Sequence, residues 1–397
     1  MKGSLLLIDL TDAEPATSGG KAAALARLLR AGMPVPPGFV VPTSAYQETD
    51  DGLPAELIDE IAQALPRIGG GYLAVRSSAT SEDTAHATAA GQHDTFLGVR
   101  GPDQVADAVR RCWLSLWSER AVEYRRRQGD APSPSIAVLV QRLVDADVAG
   151  VMFTGDDIRI EASWGLGESV VSGHVTPDSW TLSGGDITHR SLGTKETRVD
   201  RTVTREVAPA DRERFCLTDD QLTRLAQLGR QAADLLGGPQ DVEWAIAGSR
   251  IWILQSRPVT SALPPAPTVG GEGGQARTGT PGSPGRATGP ARVVRGPADF
   301  ARVRPGDVLV CRTTDPAWTP LFGVVAAVVT EIGGLLSHAA IVAREQSLPA
   351  VLAVPDATTA LPDGALVRVD GSTGLVALLG EHPAARPVIA TRADQRP

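Results

Sequence analysis

The chain has 397 residues, more than one compact domain usually holds, so two or three units with their own cores are expected. Apolar residues make up 42% and charged residues 21%, which is ordinary globular usage, and a net charge of −8 gives no overall attraction to nucleic acid or an anionic membrane. Cys112, Cys216 and Cys311 stand far apart in no metal-ligand spacing, which argues against a disulfide framework or a zinc site and points to the cytoplasm.

In chain order, the run LLLIDL at 5–10 reads as a strand too short for a signal peptide, and no long uncharged apolar run follows, so no membrane span is expected. Ser18-Gly19-Gly20 precedes Ala22, Leu25, Leu28 and Leu29 at helical spacing, with Gly32 as a C-cap, so Lys21 sits at a glycine-hinged helix start. Arg76 opens RSSATSED, which together with Ala90-Gly91-Gln92 offers hydroxyls and backbone donors suited to phosphate oxygens; taken alone it reads as a polar turn. Arg125-Arg126-Arg127 lies in a helical stretch and reads as a solvated face. Trp164-Gly165-Leu166-Gly167-Glu168 is a glycine-rich turn.

Thr218 to Gln221 forms a capping box ahead of a helix running to Gly237. A hairpin follows, in which Val242, Trp244 and Ile246 alternate with Glu243 and Ala245, and Ile251 to Leu254 return after a Gly248-Ser249 turn. Glu243 then falls nearly opposite Gln255, with Arg257 two residues further along the same face. Such opposition depends on register, because a one-residue slip turns every side chain to the other face.

Ser261 to Thr288 is rich in Pro and Gly and poor in large apolar residues, which suggests two bodies joined by a connector. Beyond it, 308–312, 324–329, 351–354 and 366–370 read as strands and Ile341 to Arg344 as part of a helix. Gly333, Gly334 and Ser337 place His338 in that helix's first turn. There the helix dipole disfavours an imidazolium and would stabilise negative charge added to the ring. His86, His93, His174, His189 and His382 have no comparable setting.

The segments SGGKAAALARL, AVRSSATSED with AGQHDTFLGV, VLVQRLV, ASWGLGESVVSGHVTPD, QDVEWAI with IWILQSRPV, and TEIGGLLSHAAIVAREQSLPAVL occur in one order. This series resembles the phosphoenolpyruvate synthase, pyruvate phosphate dikinase and rifampin phosphotransferase superfamily across nearly the whole ordered chain. The resemblance implies an α/β (α+β) architecture: a two-subdomain ATP-grasp nucleotide-binding domain over 1–260, a Pro/Gly-rich linker over 261–282, a swivelling β/β/α phosphohistidine domain over 283–380 and a tail over 381–397. It further implies that Lys21, Arg76 and Arg257 grip ATP phosphates, that Glu243 and Gln255 hold Mg²⁺, and that Gln141 lies near the adenine, with Asp241 and Glu168 at weaker matching positions.

By the same likeness His338 attacks the β-phosphate of ATP, AMP leaves, and the retained phosphoryl passes to an acceptor. The superfamily usually carries an acceptor domain, either a barrel or a large helical domain, and 397 residues hold neither beside these two bodies. The expected acceptor is therefore a small molecule, pyruvate or a natural-product hydroxyl, with a separate acceptor-binding protein as a further partner. A phosphocarrier relaying the group to a partner protein is the alternative. Two positions depart from the superfamily pattern: Leu336 stands where a small hydroxyl residue is common, and Ser347 where glycine is common, the latter read as tolerated packing.

Overall fold

The computed structural model describes residues 7–46, 53–79, 95–118, 122, 136–201, 203–260, 263 and 276–381. The first body contains two antiparallel sheets. One has five strands, β1 (Ile8–Asp9), β2 (Gly38–Val41), β3 (Leu73–Ala79), β4 (Thr95–Val99) and β5 (Ile136–Arg142), in the order β1-β2-β5-β3-β4. Helices α2 (Ala55–Ala64) and α3 (Gly101–Ser115) bury Leu57, Ile61, Val105 and Val109 in one core with Val75, Val138 and Val140 of this sheet.

The second sheet takes β6 (Val148–Phe153), β7 (Asp157–Trp164), β8 (Asp178–Ser183) and β9 (Asp186–Ser191); after a small β10 (Thr197–Asp200) and β11 (Val203–Glu206) ribbon, β12 (Gln240–Ala247) and β13 (Arg250–Pro258) complete it. Its order is β13-β12-β6-β7-β8-β9. One face is apolar, with Ile158 and Ile160 of β7, Met152 of β6, Val242, Trp244 and Ile246 of β12, and Ile253 of β13. That face shares a core with helix α1 (Pro15–Arg30) and with the helix Asp219–Leu236, whose Thr218–Gln221 capping box forms as expected. Leu25 and Leu28 of α1 also meet Val40 and Leu139 of the first sheet, so one helix joins the two halves.

The second body is an eight-stranded mixed sheet with parallel strands Arg286–Val293, Val308–Cys311, Ala327–Thr330 and Ala350–Leu352 at its centre. The connector expected to reach residue 282 ends earlier: Ala276–Thr278 pairs with Leu375–Glu381, and Thr280–Ser283 pairs with Ala350–Leu352. The glycines that suggested a linker serve close approach instead, since a Cβ on Gly279 would lie 2.3 Å from the Leu352 carbonyl oxygen. The strand expected over 324–329 begins only at Ala327. Among the described residues no helix is long and apolar enough to cross a membrane.

Candidate functional site

The polar face of the six-stranded sheet carries the site, and its register fixes which residues meet. Across one row lie Ser179, Glu161, Val151, Glu243 and Gln255, each directly opposite its neighbour. The next row on the same face holds Arg159, Phe153, Asp241 and Arg257. A bulge between Glu243 and Trp244 accommodates Leu254, and this keeps Gln255 and Arg257 on the face of Glu243 and Asp241 while Ile253 stays in the core.

Arg76, on β3 of the other sheet, reaches across to this face. Its Nη1 donates to Glu243 Oε2 at 3.1 Å and to Gln255 Oε1 at 3.3 Å, while its Nε is buried with no partner among the described residues. Arg257 Nε donates to Asp241 Oδ2 at 2.7 Å. Burial pushes the Asp241 carboxyl above its ordinary range, and Arg257 pulls in the opposite direction.

Lys21 follows the hinge in α1, where Gly19 has φ 74° and ψ 171°, and a Cβ there would sit 2.1 Å from the Ser78 carbonyl oxygen. Only glycine lets the start of the regular helix lie against β3, where Lys21 Nζ donates to the Ser77 carbonyl at 3.3 Å. Gln141 is buried on β5 and donates Nε2–H to the Pro36 carbonyl at 3.0 Å. Glu168 opens the short helix Glu168–Val171 and is exposed.

A cavity of about 630 Å³ opens between the sheets, lined by Lys21, Arg76, Gln141, Glu168, Glu243, Gln255 and Arg257 from the first body and by His338 from the second. Of the nucleotide-site residues expected from the sequence, Asp241 does not line the cavity and is held by Arg257. His338 is the first residue of the helix His338–Glu345, follows the N-cap Ser337, and is 6% exposed. Its Nε2 lies 3.5 Å from Thr319 Oγ1.

The second body is seated by a carboxylate that the sequence reading did not single out. Glu161 accepts the Leu335 N–H at Oε1, 2.7 Å, and the Leu336 N–H at Oε2, 2.9 Å. Burial pushes this carboxyl up to about 7, with the two N–H groups, Arg344 and Arg159 opposing the rise. Arg344, on the histidine helix, donates to the carbonyls of Leu335 and Gly282, both at 2.9 Å; burial lowers its guanidinium to about 10. The available signal was an acid in the middle of β7, where Ile158, Ile160 and Ala162 alternate with Arg159, Glu161 and Ser163. His174, left without a role in the sequence reading, also lines the cavity. The hydroxyl-rich stretch after Ala79, Ala90-Gly91-Gln92, Arg125-Arg126-Arg127, His86, His93 and His382 lie outside the described residues.

Residues 49–266 match the family described as pyruvate phosphate dikinase, AMP/ATP-binding domain, and residues 303–374 match PEP-utilising enzyme, mobile domain. The first match covers more than half of the chain. Among similar proteins, a probable phosphoenolpyruvate synthase of Methanothermobacter thermautotrophicus is 40% identical over 90% of this chain and 61% of its own length. The phosphoenolpyruvate synthase of Pyrococcus furiosus is 35% identical over 90% of this chain and 56% of its length, and that of Pseudomonas aeruginosa 39% identical over 81% and 46%. The chain thus spans about half to three fifths of the length of these relatives.

Proposed function

The chain belongs to the family of the pyruvate phosphate dikinase AMP/ATP-binding domain, and from that premise we propose that it is an ATP-dependent phosphotransferase working through a phosphohistidine at His338. The observation that carries this reading is a single cavity lined both by His338 and by Lys21, Arg76, Glu243, Gln255 and Arg257. A cavity of about 630 Å³ falls in the usual range for small-molecule and cofactor sites.

An imidazole nitrogen of His338 attacks the β-phosphorus of ATP, the bond to the α-phosphate oxygen breaks, and AMP departs. The pyrophosphoryl left on the ring loses its outer phosphate to water or to inorganic phosphate, and the remaining phosphoryl is carried to the acceptor. Lys21 acts as a point charge and the two arginines as planar forks on the phosphate oxygens. The orphaned Nε of Arg76 supports this, because a buried donor without a partner is costly unless a ligand satisfies it.

The oxygen pair of Glu243 and Gln255 suits Mg²⁺, which is often held by one or two protein oxygens together with substrate phosphates. The Arg76 guanidinium lying between those two oxygens supports the fit, since it marks a place where positive charge is favoured. When bound there, the metal would neutralise charge on the phosphates. Pyruvate is the first acceptor to test, given the name of the relatives. After loss of a methyl proton, its enolate oxygen would take the phosphoryl from His338.

The protein and a His338→Ala variant are incubated with Mg²⁺ and ATP labelled at the β or the γ position. Acid-labile β-label on the protein, AMP release, and loss of both in the variant are expected. ADP as the only nucleotide product, or label independent of His338, would overturn the mechanism.

A further inference from the structure

Two neighbouring backbone N–H groups of the loop that leads into the histidine helix, those of Leu335 and Leu336, point at the two oxygens of one carboxylate on the nucleotide body. The fit is tight on the loop side, since a Cβ at Gly334 would lie 2.2 Å from Glu161 Oε2. Leu335, Leu336 and Ile341 from one body share an apolar cluster with Val151, Phe153, Val170 and Val175 from the other, so the contact is shielded from water. Polar contacts at its margin are few among the described residues: Thr313 Oγ1 donates to the Gly173 carbonyl at 2.9 Å, Thr260 Oγ1 to Glu345 Oε1 at 3.1 Å, and the exposed Arg312 pairs with Glu196 at 3.6 Å.

We propose that Glu161 is the positioning residue that seats His338 over the nucleotide cavity, gripping the 335–336 backbone when the histidine body is docked and letting it go when that body leaves. The proposal rests on the reading of His338 as the residue that is charged at this cavity and discharged elsewhere. It adds the grip, which sits on the same sheet row as Glu243 and Gln255. With one intervening strand, the docking carboxylate and Glu243 are spaced by about 10 Å of sheet, so loop and phosphates are aligned by a rigid element. Backbone recognition leaves the side chains of 335 and 336 free to serve the apolar contact.

A buried acid that is hydrated once the bodies part gives docking a proton dependence. In the docked state burial holds Glu161 at about 7 against its ordinary 4.5, while Arg344 from the histidine helix and Arg159 from its own strand limit the rise. Docking therefore takes up a proton. The contribution is full below the ordinary carboxylate range and is lost as pH rises through about 7.

The test uses the full chain with spin labels at Gln227→Cys and Arg368→Cys, two exposed positions on different bodies, the three native cysteines being buried. Distance distributions are recorded from pH 5 to 9 for the otherwise native protein, Glu161→Gln and Glu161→Ala. The native docked population should fall as pH rises through about 7. Glu161→Gln, which keeps one acceptor and cannot ionise, should flatten that profile, and Glu161→Ala, which keeps none, should lower the docked ratio about tenfold at pH 6. Under saturating ATP, labelling of His338 should slow by a similar factor while affinity for a non-hydrolysable ATP analogue stays unchanged.

Docked fractions and pH profiles unaltered in both variants would overturn the proposal, as would a loss of analogue affinity that accounts for the slower labelling. If the native protein shows Glu161-dependent docking and never labels His338, the docking role stands and the phosphotransferase reading falls.

Discussion

At the scale of single residues, an arginine of the cavity that is proposed to bind phosphate also pairs with a carboxylate, and a simple substitution confounds the two. Arg257 is 11% exposed and its partner Asp241 4%, so Arg257→Ala strands a buried carboxylate and should cost about 3–5 kcal/mol of stability. Adding Asp241→Asn removes the stranded charge and should return most of that loss in a urea titration. On the proposed function, His338 labelling should stay at least about a hundredfold slow in both variants, because neither restores the proposed phosphate contact. Recovery of labelling together with stability would show that Arg257 only braces the strand. Arg257 and Gln255 were legible in the sequence because strand alternation displays them; the Asp241 ion pair was not, since cross-strand partners depend on where the bulge falls.

At the scale of elements, the helix His338–Glu345 ends in a turn that explains why glycine suits position 347. Ser347 has φ 53°, its N–H donates to the Arg344 carbonyl, and the Leu348 N–H reaches the Ala343 carbonyl, so it is the left-handed residue that closes the helix. The sequence suggested a packing tolerance; the constraint lies in the backbone, and the side chain itself is exposed. Ser347→Gly should therefore stabilise the protein, by about 0.5–1 kcal/mol in a denaturant titration, without changing the labelling rate. A neutral or destabilising result would mean that the left-handed turn is not strained. Helices, hairpin and the histidine turn were readable from period and caps; the strands at 276–283 were not, because small residues chosen for close backbone approach leave no hydrophobic pattern.

At the scale of the whole molecule, the two bodies meet, among the described residues, through a small patch of apolar side chains, the buried Glu161 carboxylate and a few exposed polar pairs at the margin. Leu336, 1% exposed, sits in that patch. Leu336→Asp should bury an unpaired charge only in the docked arrangement and so shift the protein towards the parted one. The radius of gyration in solution scattering should rise by several ångströms while α-helical content holds. An unchanged radius would argue that the contact contributes little to docking.

The early start of the second body's sheet limits how far its histidine can travel. Strand pairing begins at Ala276, and the first body ends at Thr260, whose hydroxyl still meets Glu345. A chain gains at most about 3.6 Å per residue, so the covalent distance between those two points is no more than about 58 Å, against about 79 Å for a connector lasting to residue 282. If His338 serves a second station as proposed, that station lies within the tether's length plus the span of the histidine body itself, a distance that a cross-linker of known length can check.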